Sequence, residues 1–163
     1  MDKNIRKANV SDLARITDIY NWAVENTTAS FDINSHTIEQ RTEWFAEHDD
    51  RHPLIVYELE GKVVGYASLS EFRSKEAYDS TCEMSVYVDH EYHNRGIGKA
   101  LIEEIIKLGK DNGFHVIISV ISADNYISIE IHKKFGFVLC GDIKQVAFKF
   151  GRYLDCLFYQ LFI

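Results

Sequence analysis

The sequence is short of the features that divide, staple or anchor a chain. It has one proline, Pro53, and no Gly/Ser-rich tract or internal repeat, so nothing marks a linker and residues 1–163 read as one domain. Its three cysteines, Cys82, Cys140 and Cys156, form no CxxC pair. An odd, unpaired set excludes a disulfide framework and a structural zinc site, no histidine has metal-ligand spacing, and the three thiols are expected to pack in the core. No apolar run approaches the roughly 20 residues of a membrane span. The opening stretch is charged and leads into no signal-peptide core, so the expected location is cytoplasmic. Lysine and arginine never gather into a block, and 25 acidic residues against 18 basic ones leave a net charge of −7. That balance argues against nucleic acid or an anionic membrane as partner.

What is present is an ordinary globular composition, 46% apolar and 26% charged, enough for a sizeable core. Ile5–Lys7 reads as a short strand. Val10, Leu13, Ile16, Ile19, Tyr20, Ala23 and Val24 then recur at helical spacing behind a cap at Asn9 or Ser11. Thr37 and Gln40 have capping-box spacing before a helix over Ile38–His48. Leu54–Glu60 and Lys62–Ser70 flank Gly61 as a hairpin, and Thr81–Val88 is a further strand. An amphipathic helix runs from the Gly96/Gly98 turn to Asn112. Val116–Ile121 is a central strand, Ser128–Phe135 a short helix, and Phe137–Lys144 and Tyr153–Phe162 two last strands around a loop at Gly151. Hairpins in the first half and a βαβ crossover in the second predict an α/β layer fold with a mixed sheet.

The run His93-Asn94-Arg95-Gly96-Ile97-Gly98-Lys99 follows a strand and opens a helix. Glycines there let a ligand approach the backbone, and a helix start presents free N–H groups, a setting for a phosphate or pyrophosphate. The spacing matches neither the P-loop nor the dinucleotide fingerprint. Spacing alone leaves pyrophosphate binding and a plain strand–helix turn equally open. In the preceding strand, alternation puts Thr81, Glu83, Ser85 and Tyr87 on one face and Cys82, Met84, Val86 and Val88 on the other. Glu83 is the ionisable member of a polar row on a strand whose position favours apolar side chains.

Val86-Tyr87-Val88 followed by Arg95-Gly96-Ile97-Gly98 and a long helix resembles the acetyl-CoA signature of the GNAT acetyltransferases. Asn125, Ser128, His132 and Phe135-Gly136-Phe137 resemble that family's later motif, at the expected separation. Ile19-Tyr20-Asn21, Ala77-Tyr78-Asp79, Cys82–Val88 and Lys149-Phe150-Gly151-Arg152 extend the likeness over nearly the whole chain, toward phosphinothricin and methionine-sulfoximine N-acetyltransferases. One departure is His93, where the family turn usually begins with Gln or Arg.

The resemblance implies a GNAT fold, a mixed and mostly antiparallel central sheet flanked by helices, with acetyl-CoA as co-substrate and no metal. It implies that the N–H groups of Asn94, Arg95, Gly96, Ile97, Gly98 and Lys99 hold the coenzyme pyrophosphate. Val86, Tyr87 and Val88 then pair with the pantetheine arm as an added strand would, and Asn125 hydrogen-bonds that arm. Glu83 aligns with the general base, His132 with the residue that protonates the departing thiolate, and Arg73, beside Tyr78, with a clamp for an acceptor carboxylate. The chemistry suits these roles. An ammonium has no lone pair, so a carboxylate must take its proton before attack on a thioester; an α-amino pKa of about 8 makes that inexpensive near neutrality. An arginine fork matches two carboxylate oxygens. Lys149–Arg152 form a late loop expected to close the acceptor pocket. The implied reaction is direct acetyl transfer to the amine of a small amino acid or analogue by a homodimeric enzyme. Another amine acceptor (a polyamine, an aminoglycoside, a protein N-terminus) and a non-catalytic acyl-CoA-binding module are the rival readings.

Overall fold

Residues 4–163 are described by the computed structural model. Among them, the strands are β1 (Ile5–Lys7), β2 (Leu54–Leu59), β3 (Lys62–Glu71), β4 (Thr81–Val88), β5 (Val116–Ser122), β6 (Val138–Lys149) and β7 (Arg152–Phe162). The helices are α1 (Leu13–Asn26), α2 (Ile38–Ala46), α3 (Ile97–Asp111) and α4 (Tyr126–Lys134). One sheet takes the order β1-β2-β3-β4-β5-β7-β6. Hairpin-type neighbours pair antiparallel, and β4 and β5, joined through α3, pair parallel. This is the mixed α/β sheet that the order of elements predicts, and it is mostly antiparallel, as the resemblance implies.

Local chemistry accounts for the element starts. Asn9 accepts from Ser11 N and Asp12 from Asn9 N, a reciprocal cap on the short 3₁₀ turn that leads into α1. The Thr37 hydroxyl accepts from Gln40 N at 3.3 Å, and the Gln40 side chain accepts from Thr37 N at 2.9 Å. α2 nevertheless ends at Ala46, short of His48, whose ring donates to the Trp44 carbonyl at 2.9 Å and closes the last turn. α4 starts at Tyr126, earlier than expected, because Asn125 caps it by accepting from Ser128 N.

Two apolar layers sandwich the sheet. Ala67, Leu69, Cys82, Met84, Leu101, Ile105, Ile117 and Ile121 form the layer under α3, and Ile16, Ile19, Leu54, Val56, Val63 and Tyr66 the layer under α1. β6 departs from expectation by running on to Lys149. Gln145 adopts a left-handed φ of 52° in an irregular stretch between Ile143 and Ala147, after which pairing resumes at Ala147 and Leu154. Polar residues at that kink imitate a loop in the sequence. Cys140 is also corrected: it lies exposed on β6, the outer strand, whereas Cys82 and Cys156 are buried. No described helix is long and apolar enough to cross a membrane.

Candidate active site

β4 and β5 pair only from Thr81/Val116 to Glu83/Ile118. Beyond that the two strands part, β4 continuing to Val88 and β5 to Ser122. The backbone of Met84–Val88 therefore faces β5 across a gap instead of a ladder. A cavity of about 1000 Å³ fills this fork. Glu83 and Val86–Val88 line it from β4, Asn94, Gly96, Ile97 and Gly98 from the turn, and Asn125, Ser128 and His132 from the start and inner face of α4.

The turn is built for backbone exposure. Asn94 and Gly96 are left-handed, with φ of 62° and 80°, and Gly96 caps α3 without any side-chain hydrogen bond. The first turn of a helix has N–H groups without intrahelical acceptors. A Cβ on Gly98 would meet only Val88 Cγ2, at 3.6 Å. The protein's own packing leaves this glycine open, as a ligand seated against the backbone requires. His93 holds the turn to β4 through its ring Nε2, which donates to the Val88 carbonyl at 3.0 Å.

Glu83 stands at the apex of the fork, half-buried. Burial raises its pKa above the ordinary carboxylate value of 4.5, and the positive charge of Arg73 partly offsets that rise. Its row continues as the alternation predicts, with Ser70, Ser68 and Tyr66 of β3 opposite Glu83, Ser85 and Tyr87. Cys82 points into the opposite layer and its thiol pKa is pushed up to about 12 by burial, so it is no nucleophile for this cavity.

His132 is buried, with Nδ1 2.7 Å from the Ser128 carbonyl. A carbonyl only accepts, so Nδ1 carries the hydrogen. Burial lowers the ring's pKa, with the Ser128 bond opposing, so the neutral imidazole presents Nε2 as an acceptor. Asn125 spends its side-chain oxygen on the Ser128 N–H and keeps its amide donors for another partner.

The structure does not bring every predicted residue together. Arg73 and Tyr78 are exposed and line a neighbouring hollow with Ser70, Glu71 and Asp79; Arg73 acts on the main cavity through its charge at Glu83. Arg95 and Lys99 are exposed and lie off the cavity lining, Arg95 over the ring of Tyr92. The late loop does reach the cavity: Phe150 and Arg152 line it, and Lys149 Nζ donates to the Ser30 carbonyl at 2.8 Å.

Two groups in the site escape a linear reading. Asp124, at the end of β5, accepts from Thr28 and Ser122, each at 2.6 Å, and from Arg152. It thereby ties the loop after α1 to the β6–β7 hairpin at the cavity rim. Arg41 is 3% exposed and lines the cavity from α2, against Tyr20, Trp44 and Tyr66. The available signal for it was an arginine at i on a helix face whose i+3 and i+4 positions are Trp44 and Phe45. No group of three or more His, Cys, Asp or Glu among the described residues could hold a metal.

Comparison with known proteins bears on this geometry. The family described as "Acetyltransferase (GNAT) domain" matches residues 5–158. The chain belongs to the GNAT acetyltransferase family. As a GNAT enzyme it is an acetyl-CoA-dependent N-acetyltransferase with acetyl-CoA as co-substrate, and the fork and open glycine turn fit that group. The chain is 39% identical over 163 residues to the L-methionine sulfoximine/L-methionine sulfone acetyltransferase of Pseudomonas paraeruginosa, covering 99% of this chain and 95% of the relative. It is 31% identical to the phosphinothricin N-acetyltransferase of Streptomyces viridochromogenes, covering 96% and 85%. A GNAT superfamily phosphinothricin acetyltransferase from Sinorhizobium meliloti, solved with acetyl-CoA, superposes with a TM-score of 0.95 at 35% identity, covering all of this chain and 89% of that one.

Proposed function

We propose that this enzyme acetylates the primary amine of a small amino acid or of an analogue such as methionine sulfone, methionine sulfoximine or phosphinothricin. The carrying observation is a half-buried carboxylate, Glu83, at the apex of the β4–β5 fork, its pKa raised by burial. In this reading the turn from Asn94 to Lys99 binds the coenzyme pyrophosphate through backbone N–H groups, Met84–Val88 supply the unpaired strand edge for the pantetheine amides, and Asn125 adds its amide donor. Bound acetyl-CoA supplies the thioester carbonyl.

Glu83 takes a proton from the incoming ammonium, directly or through water, and frees the lone pair for direct attack. The new amide C–N bond forms as the C–S bond breaks. The amine nitrogen gives up a second proton and the departing sulfur takes one. His132, neutral with Nε2 unprotonated, can give that proton only after receiving one, so we assign it as a relay from nitrogen to sulfur. Arg73, in the hollow next to the main cavity and with its charge felt at Glu83, is assigned to the acceptor carboxylate. The apolar side chains Val138, Leu139, Val146 and Phe148, exposed on β6, support a homodimer.

The test is thiol release from acetyl-CoA across methionine sulfone, methionine sulfoximine, phosphinothricin, unmodified amino acids and polyamines. Turnover confined to acceptors with an α-carboxylate is expected. A preference for polyamines would refute the assignment.

A further inference from the structure

Arg41 is a buried cation to which the fold gives no anion. It is the buried residue of α2. Its guanidinium lies 3.6 Å from the centre of the Trp44 ring and 4.5 Å from that of Tyr20, within cation–π range of both. Nη2 reaches the Tyr66 hydroxyl at 3.4 Å, while Nε is buried without an acceptor. Among the described residues Arg41 forms no ion pair. Asp32, which bonds Tyr20 of this cluster, is engaged by that hydroxyl and by His36 at 3.0 Å.

Burying a charge is costly unless it is paired and hydrogen-bonded. With the Trp44 and Tyr20 rings against its guanidinium and Nε without an acceptor, Arg41 keeps a donor for a partner, and it shares the cavity with Glu83. The polar row of β3 and β4 joins the two. From Glu83 and Ser70 it passes Ser85 and Ser68 to Tyr87 and Tyr66, where Arg41 sits. Ser68 Oγ, midway along it, is buried without a partner but lies off the cavity lining. Arg41, which lines the cavity with a donor unused, describes a site for oxygen atoms.

We propose that Arg41 determines acceptor specificity by holding a two-oxygen group on sulfur or phosphorus at the far end of the acceptor side chain. This rests on the amino-acid N-acetyltransferase reading and adds a second arginine with a task separate from that of Arg73. A planar fork matches two oxygens on one atom, as in a sulfone or phosphinate. A thioether at the same place offers it nothing.

Methionine and methionine sulfone, which share a skeleton and differ in those oxygens, are the test pair. Wild-type enzyme should prefer the sulfone. Arg41→Met should lower kcat/KM for the sulfone by about 10- to 100-fold, the loss of one or two charge-assisted hydrogen bonds, and leave methionine turnover and the acetyl-CoA KM nearly unchanged. Arg41→Lys, which keeps the charge and loses the fork, should fall between. An equal drop for both acceptors, no drop, no wild-type preference, or failure of both variants to fold would overturn the proposal and leave Arg41 a core residue. If wild-type enzyme acetylates no amino acid, the proposed reaction fails by itself. Calorimetric titration with methionine sulfone then decides Arg41: binding lost in Arg41→Met upholds its role, and equal or absent binding overturns it.

Discussion

Substitution at Gly98 tests the proposal that the turn's backbone holds the coenzyme, because it distinguishes a glycine kept for a ligand from one kept for the fold. Its φ lies outside the left-handed region, and an added Cβ would make one ordinary contact, with Val88 Cγ2 at 3.6 Å. Alanine at this position of α3 therefore strains nothing. Glycine in a helix is disfavoured against alanine by roughly 0.5–1 kcal/mol, so Gly98→Ala should hold or raise stability. For a chain of this size that is a Tm gain of roughly 1–4 °C. The same methyl group would occupy the space through which the pyrophosphate approaches the N–H groups. Weakening one charge-assisted hydrogen bond of about 1.5–3 kcal/mol raises the acetyl-CoA KM roughly 10- to 100-fold, at 1.4 kcal/mol per factor of ten. Differential scanning fluorimetry and initial-rate kinetics on one preparation read both quantities. A lowered Tm with an unchanged acetyl-CoA KM would refute the reasoning, because the glycine would then serve the protein's own packing. Gly65→Ala is the converse control. Its Cβ would come within 3.1 Å of the Tyr87 carbonyl and of Leu101 Cδ1, an overpacking of about 1–3 kcal/mol, so Tm should fall.

Glu83→Gln should lower kcat by roughly 10²–10⁴-fold while calorimetric affinity for acetyl-CoA holds; wild-type turnover in the variant would remove Glu83 from the chemistry. Because Glu83 must be ionised to accept a proton and burial raises its pKa, kcat/KM should fall with decreasing pH through a midpoint above 4.5. Arg73 opposes that rise, so Arg73→Ala should move the midpoint higher still and raise the acceptor KM, as pH–rate profiles would show. At Asp124 burial acts to raise the pKa, but donors from Ser122, Thr28 and Arg152 outweigh it and hold the group at about 2, below the ordinary 3.8. A depressed carboxylate contributes stability above its ordinary pKa and loses it as pH falls toward its folded value. Asp124→Asn should accordingly lose about 1 kcal/mol near neutrality and flatten stability between about pH 4 and 2 in urea titrations.

The parts legible in the sequence are those that depend on near neighbours along the chain. Thr37 with Gln40, the Gly96-Ile97-Gly98 turn and the alternation that sets Glu83 opposite Cys82 all follow from spacings of two to four residues. Backbone geometry makes those spacings faces and caps wherever the element lies. The kinked strand β6 misleads because a left-handed Gln145 and a solvent-facing edge remove the alternation while pairing with β7 continues. The order and type of elements, the glycine turn and the place of Glu83 in a polar row were thus determined by the sequence alone. Where β4 and β5 stop pairing, that Arg41 from α2 meets the same cavity as Glu83, that Asp124 joins the loop after α1 to the β6–β7 hairpin, and that Arg73 lines a separate hollow were decided only by the tertiary structure. These positions depend on how far a ladder extends and on which layer each helix covers, and such distances arise between segments far apart in the chain.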